Sequence, residues 1–182
     1  MRSKIIGLVG AIRAGKTTAS RHLTARHGYA LASNSDVLKD IASGLDLSPS
    51  RENLRKVGDA IFKTLGNDII ARYRLAHYSK PIVVDGIRYP EEIAIYRQES
   101  SFVLLGLRAR DDDRFQRAVA LAADGGKDQL LSPQQFADLS GVRSEENVPN
   151  LLLEADFVID NCASISDLER AIDDIVMSRS AC

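Results

Sequence analysis

Eight residues near the N terminus have the types and spacing of a phosphate-binding loop. Gly10, Gly15, Lys16 and Thr17 fit the pattern G-x-x-x-x-G-K-[ST], between an apolar run and a helical pattern. The glycines allow successive N–H groups to turn toward one anion, and the helix N terminus adds a positive dipole end. Lys16 is expected to reach the terminal phosphates of ATP, and the Thr17 hydroxyl to hold Mg²⁺. The residues predicted to bind the nucleotide in this phosphate loop are Gly10, Ala11, Arg13, Ala14, Gly15, Lys16, Thr17 and Thr18.

A carboxylate follows another apolar run, at Asp85, which ends the segment Pro-Ile-Val-Val-Asp. Four apolar residues and then an aspartate are typical of a buried strand whose terminal Asp holds Mg²⁺ beside the phosphates. Asp85 is therefore predicted to be a metal ligand that also faces the substrate. Arg88, three residues later, is placed to grip the phosphate of an acceptor, and Arg13 in the phosphate loop either meets the acceptor or points to solvent.

Three arginines recur at helical spacing in the second half of the chain. Arg110, Arg114 and Arg117 stand at positions i, i+4 and i+7, so they share one face of a helix. Positive charge on that face is suited to stabilising a moving phosphoryl group. Arg114 and Arg117 are predicted to be catalytic together with Lys16 and Arg88, and Arg114 also to contact the nucleotide. The alternative is a solvated face that pairs with Asp111–Asp113.

Short apolar runs alternate with helical patterns and predict the elements that position these residues. A parallel sheet covered by helices on both faces follows from that alternation. Ligands of such folds bind beyond the carboxyl ends of the strands, which is where the residues above fall. The strands are predicted at 4–9, 29–33, 81–85, 101–107 and 156–160. The helices are predicted at 16–26, 37–42, 50–65, 67–78, 90–98, 111–123, 133–139, 147–153 and 166–177, with caps at Ser35/Asp36, at Ser48–Ser50 and at Ser166 with Glu169.

Several segments together resemble a known group of kinases. Asp85-Gly-Ile-Arg-Tyr-Pro-Glu-Glu92 is similar to the D-G-I-R-x-x-x-E segment of phosphate-loop nucleoside and deoxynucleoside monophosphate kinases, the adenylate kinase and dephospho-CoA-kinase-like group. Similar segments of that group match residues 33–39, 51–59, 65–68, 114–117, 143–147 and 155–161. The resemblance implies an α/β fold of three layers, the P-loop NTPase fold, in which a five-stranded parallel sheet carries an acceptor-binding insert (residues 36–78) and a lid (residues 110–146).

The resemblance also implies further site residues. Asp36, Arg51 and Arg143 would contact the acceptor, and Asn161 would lie where related kinases contact adenine. One departure concerns the lid, because residues 118–123 are apolar or small and only Lys127 follows as a basic residue.

Composition limits the classes of protein to which the chain can belong. It has 182 residues, 45% hydrophobic and 27% charged, with a formal net charge of −1. These values are ordinary for one compact domain, here residues 1–182, and exclude disordered, collagenous and coiled-coil chains. The absence of a basic excess argues against a nucleic-acid partner. No apolar run approaches the roughly 18 residues of a membrane span.

Cysteine and histidine usage indicates neither a disulfide framework nor a metal cluster. Cys162 and Cys182 are too few for either, which favours a reducing, cytoplasmic compartment. His22, His27 and His77 lack ligand spacing with carboxylates or cysteines, so all three are predicted to lie at the surface. No feature of the sequence indicates an oligomeric state.

The function predicted from these features is transfer of the ATP γ-phosphate to a nucleoside or deoxynucleoside monophosphate, with Mg²⁺ as the metal and small nucleotides as the partners. Other acceptors remain open, namely dephospho-CoA, another phosphorylated metabolite or a hydroxymethylated DNA base. A nucleotide-binding regulator or a plain NTPase is the alternative outside the kinases. Acceptor-stimulated ADP release distinguishes a kinase from these.

Overall fold

Five parallel strands form the sheet of this protein. The computed structural model describes residues 4–78, 81–123, 132–138 and 143–180. The strands are β1 (Ile5–Val9), β2 (Ala30–Ser33), β3 (Ile82–Asp85), β4 (Phe102–Arg108) and β5 (Phe157–Asp160). They lie in the order β2-β3-β1-β4-β5, so β1, which precedes the phosphate loop, is central.

The strand register brings the functional residues of neighbouring strands together. Leu8 pairs with Asp85 on one side of β1, and Val9 pairs with Gly106 on the other. Every residue of β1 is buried, because helices cover both faces of the sheet. The phosphate loop therefore leaves β1 directly beside the end of β3.

Helices make the outer two layers. They are α1 (Lys16–His27), α2 (Asn34–Gly44), α3 (Arg51–Leu65), α4 (Ile69–His77), α5 (Pro90–Tyr96), α6 (Asp111–Ala123), α7 (Pro133–Asp138), α8 (Arg143–Glu146), α9 (Val148–Leu153) and α10 (Ile165–Ser180). On one face of the sheet, α4, α5 and α9 contribute the buried residues Ala71, Ile93, Tyr96 and Leu151. On the other face, α1 and α10 pack residues such as Leu23 and Ile172 against β1 and β4.

The predicted strands agree with the observed ones to within one residue at each end, and the three-layer α/β/α arrangement is confirmed. Two predicted helix caps are wrong, and α4 begins at Ile69, two residues after its predicted start. Helix α2 begins at Asn34 with Ser33 at the cap, so Ser35 and Asp36 lie inside the helix. Helix α10 begins at Ile165, where Ser164 and Asp167 exchange the capping hydrogen bonds that the sequence predicted for Ser166 and Glu169.

The two predicted inserts are described to different extents. In the acceptor-binding insert, α2 packs on α3, where Gly58 leaves room for Leu38: a Cβ on Gly58 would lie 3.2 Å from Leu38 Cδ1. The Ser50 cap of α3 is confirmed, since its side chain accepts a hydrogen bond from the Asn53 N–H. Parts of the lid, including Lys127, lie outside the described residues. None of the described helices has the length and apolar character that crossing a membrane requires.

Candidate functional site

The phosphate loop, residues 10–17, has the backbone that its glycines allow. Gly15 has a φ of 110° and caps α1, and a Cβ there would lie 2.3 Å from the Asn161 amide nitrogen. Gly10 lies against β4, where a Cβ would meet the Leu107 carbonyl oxygen at 2.4 Å. Arg13 also has a positive φ, of 65°. A side chain at either glycine would therefore push the loop off its neighbours.

Lys16 opens α1 and turns back over the loop. Its Nζ donates hydrogen bonds to the carbonyl oxygens of Gly10 at 2.5 Å and Ala11 at 3.0 Å. Burial, with the nearby positive charge of Arg88, lowers the pKa of Lys16 to about 8, against the smaller raising effects of Glu145 and Asp85. An anion that binds beside Lys16 would stabilise the charged ammonium, which burial keeps largely out of water.

Arg88 and Glu145 form an ion pair at the loop. Arg88 Nη1 lies 2.6 Å from Glu145 Oε1, although the two atoms are not aligned as a hydrogen bond. The other carboxylate oxygen, Oε2, accepts a hydrogen bond from the Ile12 N–H at 2.8 Å. The Glu145 side chain is only 7% exposed. The buried Glu145 carboxylate thus accepts a hydrogen bond from a backbone N–H of the phosphate loop. It also pairs with the arginine that is predicted to bind the acceptor.

Asp85 stands at the end of β3 in the same charged group. Burial raises its pKa, while the positive charges of Lys16, Arg88 and Arg74 oppose that rise. Asp85 and Thr17 both line the cavity described below, and each carries a side-chain oxygen. Oxygen donors of this kind are the ligands that Mg²⁺ prefers, so the two side chains fit the predicted metal.

Helix α6 supports the phosphate loop from outside. Arg114 Nη1 donates to the Ile12 carbonyl at 3.1 Å, and Arg117 Nη1 donates to the Arg13 carbonyl at 3.2 Å. Arg114 is 6% exposed. Arg110, by contrast, pairs with Asp113 at the surface, as in the alternative reading of this helix face.

Asn161 ties the end of β5 to the loop. Its side-chain amide nitrogen donates to the Ala14 carbonyl at 2.9 Å, and its backbone carbonyl accepts a hydrogen bond from the Arg117 guanidinium at 2.6 Å. These contacts link the end of β5 to the phosphate loop and to α6.

A buried polar network holds the segment after β3. Glu92 Oε2 accepts hydrogen bonds from the backbone N–H groups of Arg88 at 2.9 Å and Tyr89 at 3.1 Å. Asn34 donates to the other Glu92 oxygen at 3.2 Å, while its own Oδ1 is buried without a hydrogen-bond partner among the described residues. Burial raises the pKa of Glu92. Glu92 therefore fixes the backbone from which Arg88 projects.

These groups surround one cavity of about 970 Å³. The predicted site residues that line it are Arg13, Gly15, Lys16, Thr17, Thr18, Asp85, Arg88, Arg117 and Asn161. Its wall also includes polar residues at the end of β2 and an apolar group formed by Leu38, Phe62 and Tyr89. The Phe62 and Tyr89 rings lie 5.6 Å apart between centroids.

The remaining predicted residues stand elsewhere. Gly10, Ala11 and Ala14 act through backbone carbonyls that accept hydrogen bonds from Lys16 and Asn161. Asp36 pairs with Lys39 at the exposed surface of α2 and is not among the residues that line the cavity. Arg51 and Arg143 begin α3 and α8, and their side chains lie outside the described part of the structure.

Sequence reasoning missed Glu145, Glu92 and Asn34 as site residues. A signal was present for all three, because each lies inside a segment on which the resemblance to the kinases rests. None of these segments indicates which residue its polar side chain contacts.

The sequence signature of a family described as an AAA domain matches residues 6–132, well over half of the chain. The chain belongs to this AAA domain family. The matched region runs from β1 through α6 and so includes the phosphate loop, Asp85 and Arg88.

Relatives of this AAA domain protein include archaeal proteins named only as UPF0200 protein. One from Thermococcus onnurineus is 24% identical over 94% of this chain and 96% of its own length. Another from Methanothrix thermoacetophila is 34% identical over 64% of this chain and 65% of its own length.

Solved structures establish the fold of this AAA domain as that of the P-loop kinases. Shikimate kinase from Acinetobacter baumannii superposes with a TM-score of 0.58 at 20% identity, over 96% of this chain and 93% of that one. The protein TT1252 from Thermus thermophilus gives a TM-score of 0.59 at 20% identity, over 98% of each chain. The P-loop kinase-like assignment made from the sequence motifs is confirmed.

Proposed function

We propose that this protein transfers the γ-phosphate of ATP to a nucleoside or deoxynucleoside monophosphate. The observation that carries the proposal is the composition of one cavity, whose lining includes residues of the phosphate loop, Asp85 and the Arg88–Glu145 pair. The acceptor-binding insert contributes apolar and aromatic side chains to the same cavity. Phosphoryl transfer needs this combination of positive charge and two adjoining binding regions.

The nucleotide region consists of the phosphate loop and the start of α1. Free N–H groups at the helix N terminus and the Lys16 ammonium bind the terminal phosphates of ATP. Thr17 and Asp85 would hold Mg²⁺, which neutralises charge on the phosphates when it is bound. Ala163 and Ile165, after β5, line the cavity near Asn161 and provide apolar contacts for a base.

The acceptor region is supported by Arg88 and the aromatic pair Phe62–Tyr89. Arg88 is the cation that an acceptor phosphate binds, and Glu145 is its partner when no acceptor is present. An incoming phosphate replaces the Glu145 carboxylate on Arg88 and thereby frees that carboxylate within the site. The apolar and aromatic wall of Leu38, Phe62 and Tyr89 suits a nucleobase, which favours a nucleotide acceptor over a small polar one.

No general base is required for this reaction. A monophosphate acceptor attacks with an oxygen that is already ionised at neutral pH, so positioning and charge stabilisation carry most of the catalysis. Arg117 lines the cavity and contacts the phosphate loop, so it positions the loop and stands beside the transferring group.

The test is an ADP-release screen over all ribo- and deoxynucleoside monophosphates and dephospho-CoA. We expect ADP release to rise steeply with one or a few nucleoside monophosphates and to stay low with ATP alone. Lys16→Ala should abolish the stimulated rate, whereas Lys63→Ala, on α3 outside the cavity lining, should retain it. ATP hydrolysis that no acceptor stimulates would instead establish an NTPase, and stimulation by dephospho-CoA alone would reassign the acceptor.

A further inference from the structure

Two histidines and an aspartate converge between α1 and α10, behind the phosphate loop. Histidine Nε2 atoms of His22 and His27 lie 2.7 and 2.6 Å from the same oxygen, Oδ1 of Asp173. The two histidine side chains are 13% and 14% exposed, and Asp173 is 31% exposed. The surface position predicted from the sequence is therefore wrong for His22 and His27. It is confirmed for His77, which is exposed on α4.

We propose that His22, His27 and Asp173 form a binding site for a divalent transition-metal ion of the Zn²⁺ type. Their ligand atoms all lie within 4.8 Å of one another. Imidazole nitrogen and carboxylate oxygen are the donor types that Zn²⁺ uses in proteins. The site lies apart from the Thr17–Asp85 pair, whose oxygen donors suit Mg²⁺.

The distances are compatible with insertion of a metal. Ligands about 2.0–2.1 Å from a tetrahedral Zn²⁺ stand roughly 3.3 Å from each other. The nitrogen–oxygen separations of 2.7 and 2.6 Å must therefore widen by about 0.6–0.7 Å each. Rotation of one partly exposed carboxylate accomplishes most of that, because both separations end at the same Asp173 oxygen.

The proton balance at the site also fits metal binding. An Nε2 atom that donates a hydrogen bond to Asp173 must give up its proton, to Nδ1 or to solvent, before that nitrogen can bind a metal ion. Glu169, one helical turn before Asp173, has its Oε1 3.6 Å from His22 Nδ1 and favours the tautomer with the proton on that side.

A metal at this position would clamp the C-terminal helix onto the helix that carries the phosphate loop. Helix α1 begins at Lys16, and Leu168 of α10 lies close to Gly15, where a Cβ would be 3.6 Å from Leu168 Cδ2. We infer a structural role for the ion. This inference stands on contacts that the proposed kinase activity does not use.

The experiment titrates Zn²⁺ alone into the chelator-treated full chain, without nucleotide, by calorimetry with a competing chelator and by thermal melts. We expect one Zn²⁺ per chain and a rise in Tm that Mg²⁺ does not reproduce. His22→Gln, His27→Gln and Asp173→Asn should each weaken binding by more than about tenfold. His77→Gln is the matched control, as it changes the third histidine of the chain, and it should bind as the wild type does.

A spectroscopic readout covers the case in which a variant does not fold. Co²⁺ bound to the wild-type chain should give the visible absorption of a low-coordinate site with nitrogen ligands, and Zn²⁺ should displace it. Two results would overturn the proposal: no Zn²⁺ binding and no such Co²⁺ spectrum in the wild type, or undiminished binding in the folded His22→Gln/His27→Gln double variant.

Discussion

At the scale of single residues, the site concentrates charge that the fold keeps partly out of water. Lys16, Asp85, Arg88 and Glu145 influence one another, and burial acts on the pKa of both Lys16 and Asp85. Such buried charged groups lower the stability of the unliganded protein, and they bind an anion when one is present. Two predictions at the scale of single residues follow from this.

Replacing Lys16 by Met should change how stability depends on pH. The pKa of Lys16 is lowered from 10.5 to about 8, so between these values the unfolded chain binds a proton that the folded chain does not. Stability of the wild type should therefore rise relative to Lys16→Met between pH 8 and 10.5, by at most about 3 kcal/mol. Urea unfolding across that range measures the difference, and parallel curves for the two proteins would contradict the assignment.

Replacing Arg88 by Ala should weaken binding of the acceptor more than binding of ATP. We expect the KM for the acceptor to rise by one to two orders of magnitude, about 1.5–3 kcal/mol, because a charged hydrogen-bonding partner of the phosphate is lost. The KM for ATP should change far less. Steady-state kinetics with each substrate varied in turn measures the split.

The control for this variant is Arg72→Ala, because Arg72 forms an exposed ion pair with Asp68 on α4. It should leave both constants unchanged. A larger effect of Arg88→Ala on ATP than on the acceptor would place Arg88 on the nucleotide side of the cavity.

At the scale of elements, one aromatic side chain joins two described helices of the predicted lid, α6 and α7. Phe136 of α7 is 4% exposed, lies 5.6 Å from the Phe115 ring of α6, and has the Arg114 guanidinium 5.6 Å from its centroid. Because Arg114 in turn donates to the Ile12 carbonyl, α7, α6 and the phosphate loop form a continuous set of contacts.

Replacing Phe136 by Ala should loosen this set of contacts. We expect the free energy of unfolding to fall by about 2–4 kcal/mol, toward the lower end because α7 has only six residues. We also expect faster proteolysis within residues 110–146. Denaturant unfolding and limited proteolysis measure the two effects. Leu153→Ala, at a position 86% exposed, is the control and should be nearly neutral. Equal proteolysis of the two variants would show that Phe136 does not hold the lid.

The elements themselves were largely predictable from the sequence, and their distant contacts were not. Buried parallel strands such as Ile82–Asp85 read as short apolar runs, so their ends were predicted to within a residue. The start of α10 was missed because two overlapping Ser-x-x-acid patterns compete there, and Ser164 with Asp167 forms the box.

Some residues of the candidate site were likewise predictable from the sequence, and their distant contacts were not. The phosphate loop and Asp85 lie in local motifs, so the spacing of residues was enough to predict them. Glu145 reaches Ile12 across 133 positions, and Arg114 reaches it across 102. Spacing along a helix gives the face on which an arginine lies, but only the packing of α6 decides that Arg114 contacts the loop backbone.

At the scale of the whole molecule, a net charge of −1 conceals a strongly charged interior site. The sheet order brings the ends of β1 and β3 side by side, and α6 and α8 add their charged residues from distant parts of the chain. The cations thus act locally on a small ligand, while acidic residues balance them elsewhere. This distribution supports a small phosphorylated substrate over a nucleic acid.

The most direct test of the account follows the terminal phosphate of ATP. ATP labelled at the γ-phosphate is mixed with excess protein and the best acceptor from the ADP-release screen, and the products are separated after a single turnover. We expect the label to appear in a nucleoside diphosphate, with little in inorganic phosphate, and to stay in ATP with the Lys16→Ala variant. Label that appears in inorganic phosphate at the same rate with and without acceptor would contradict the assignment as a kinase.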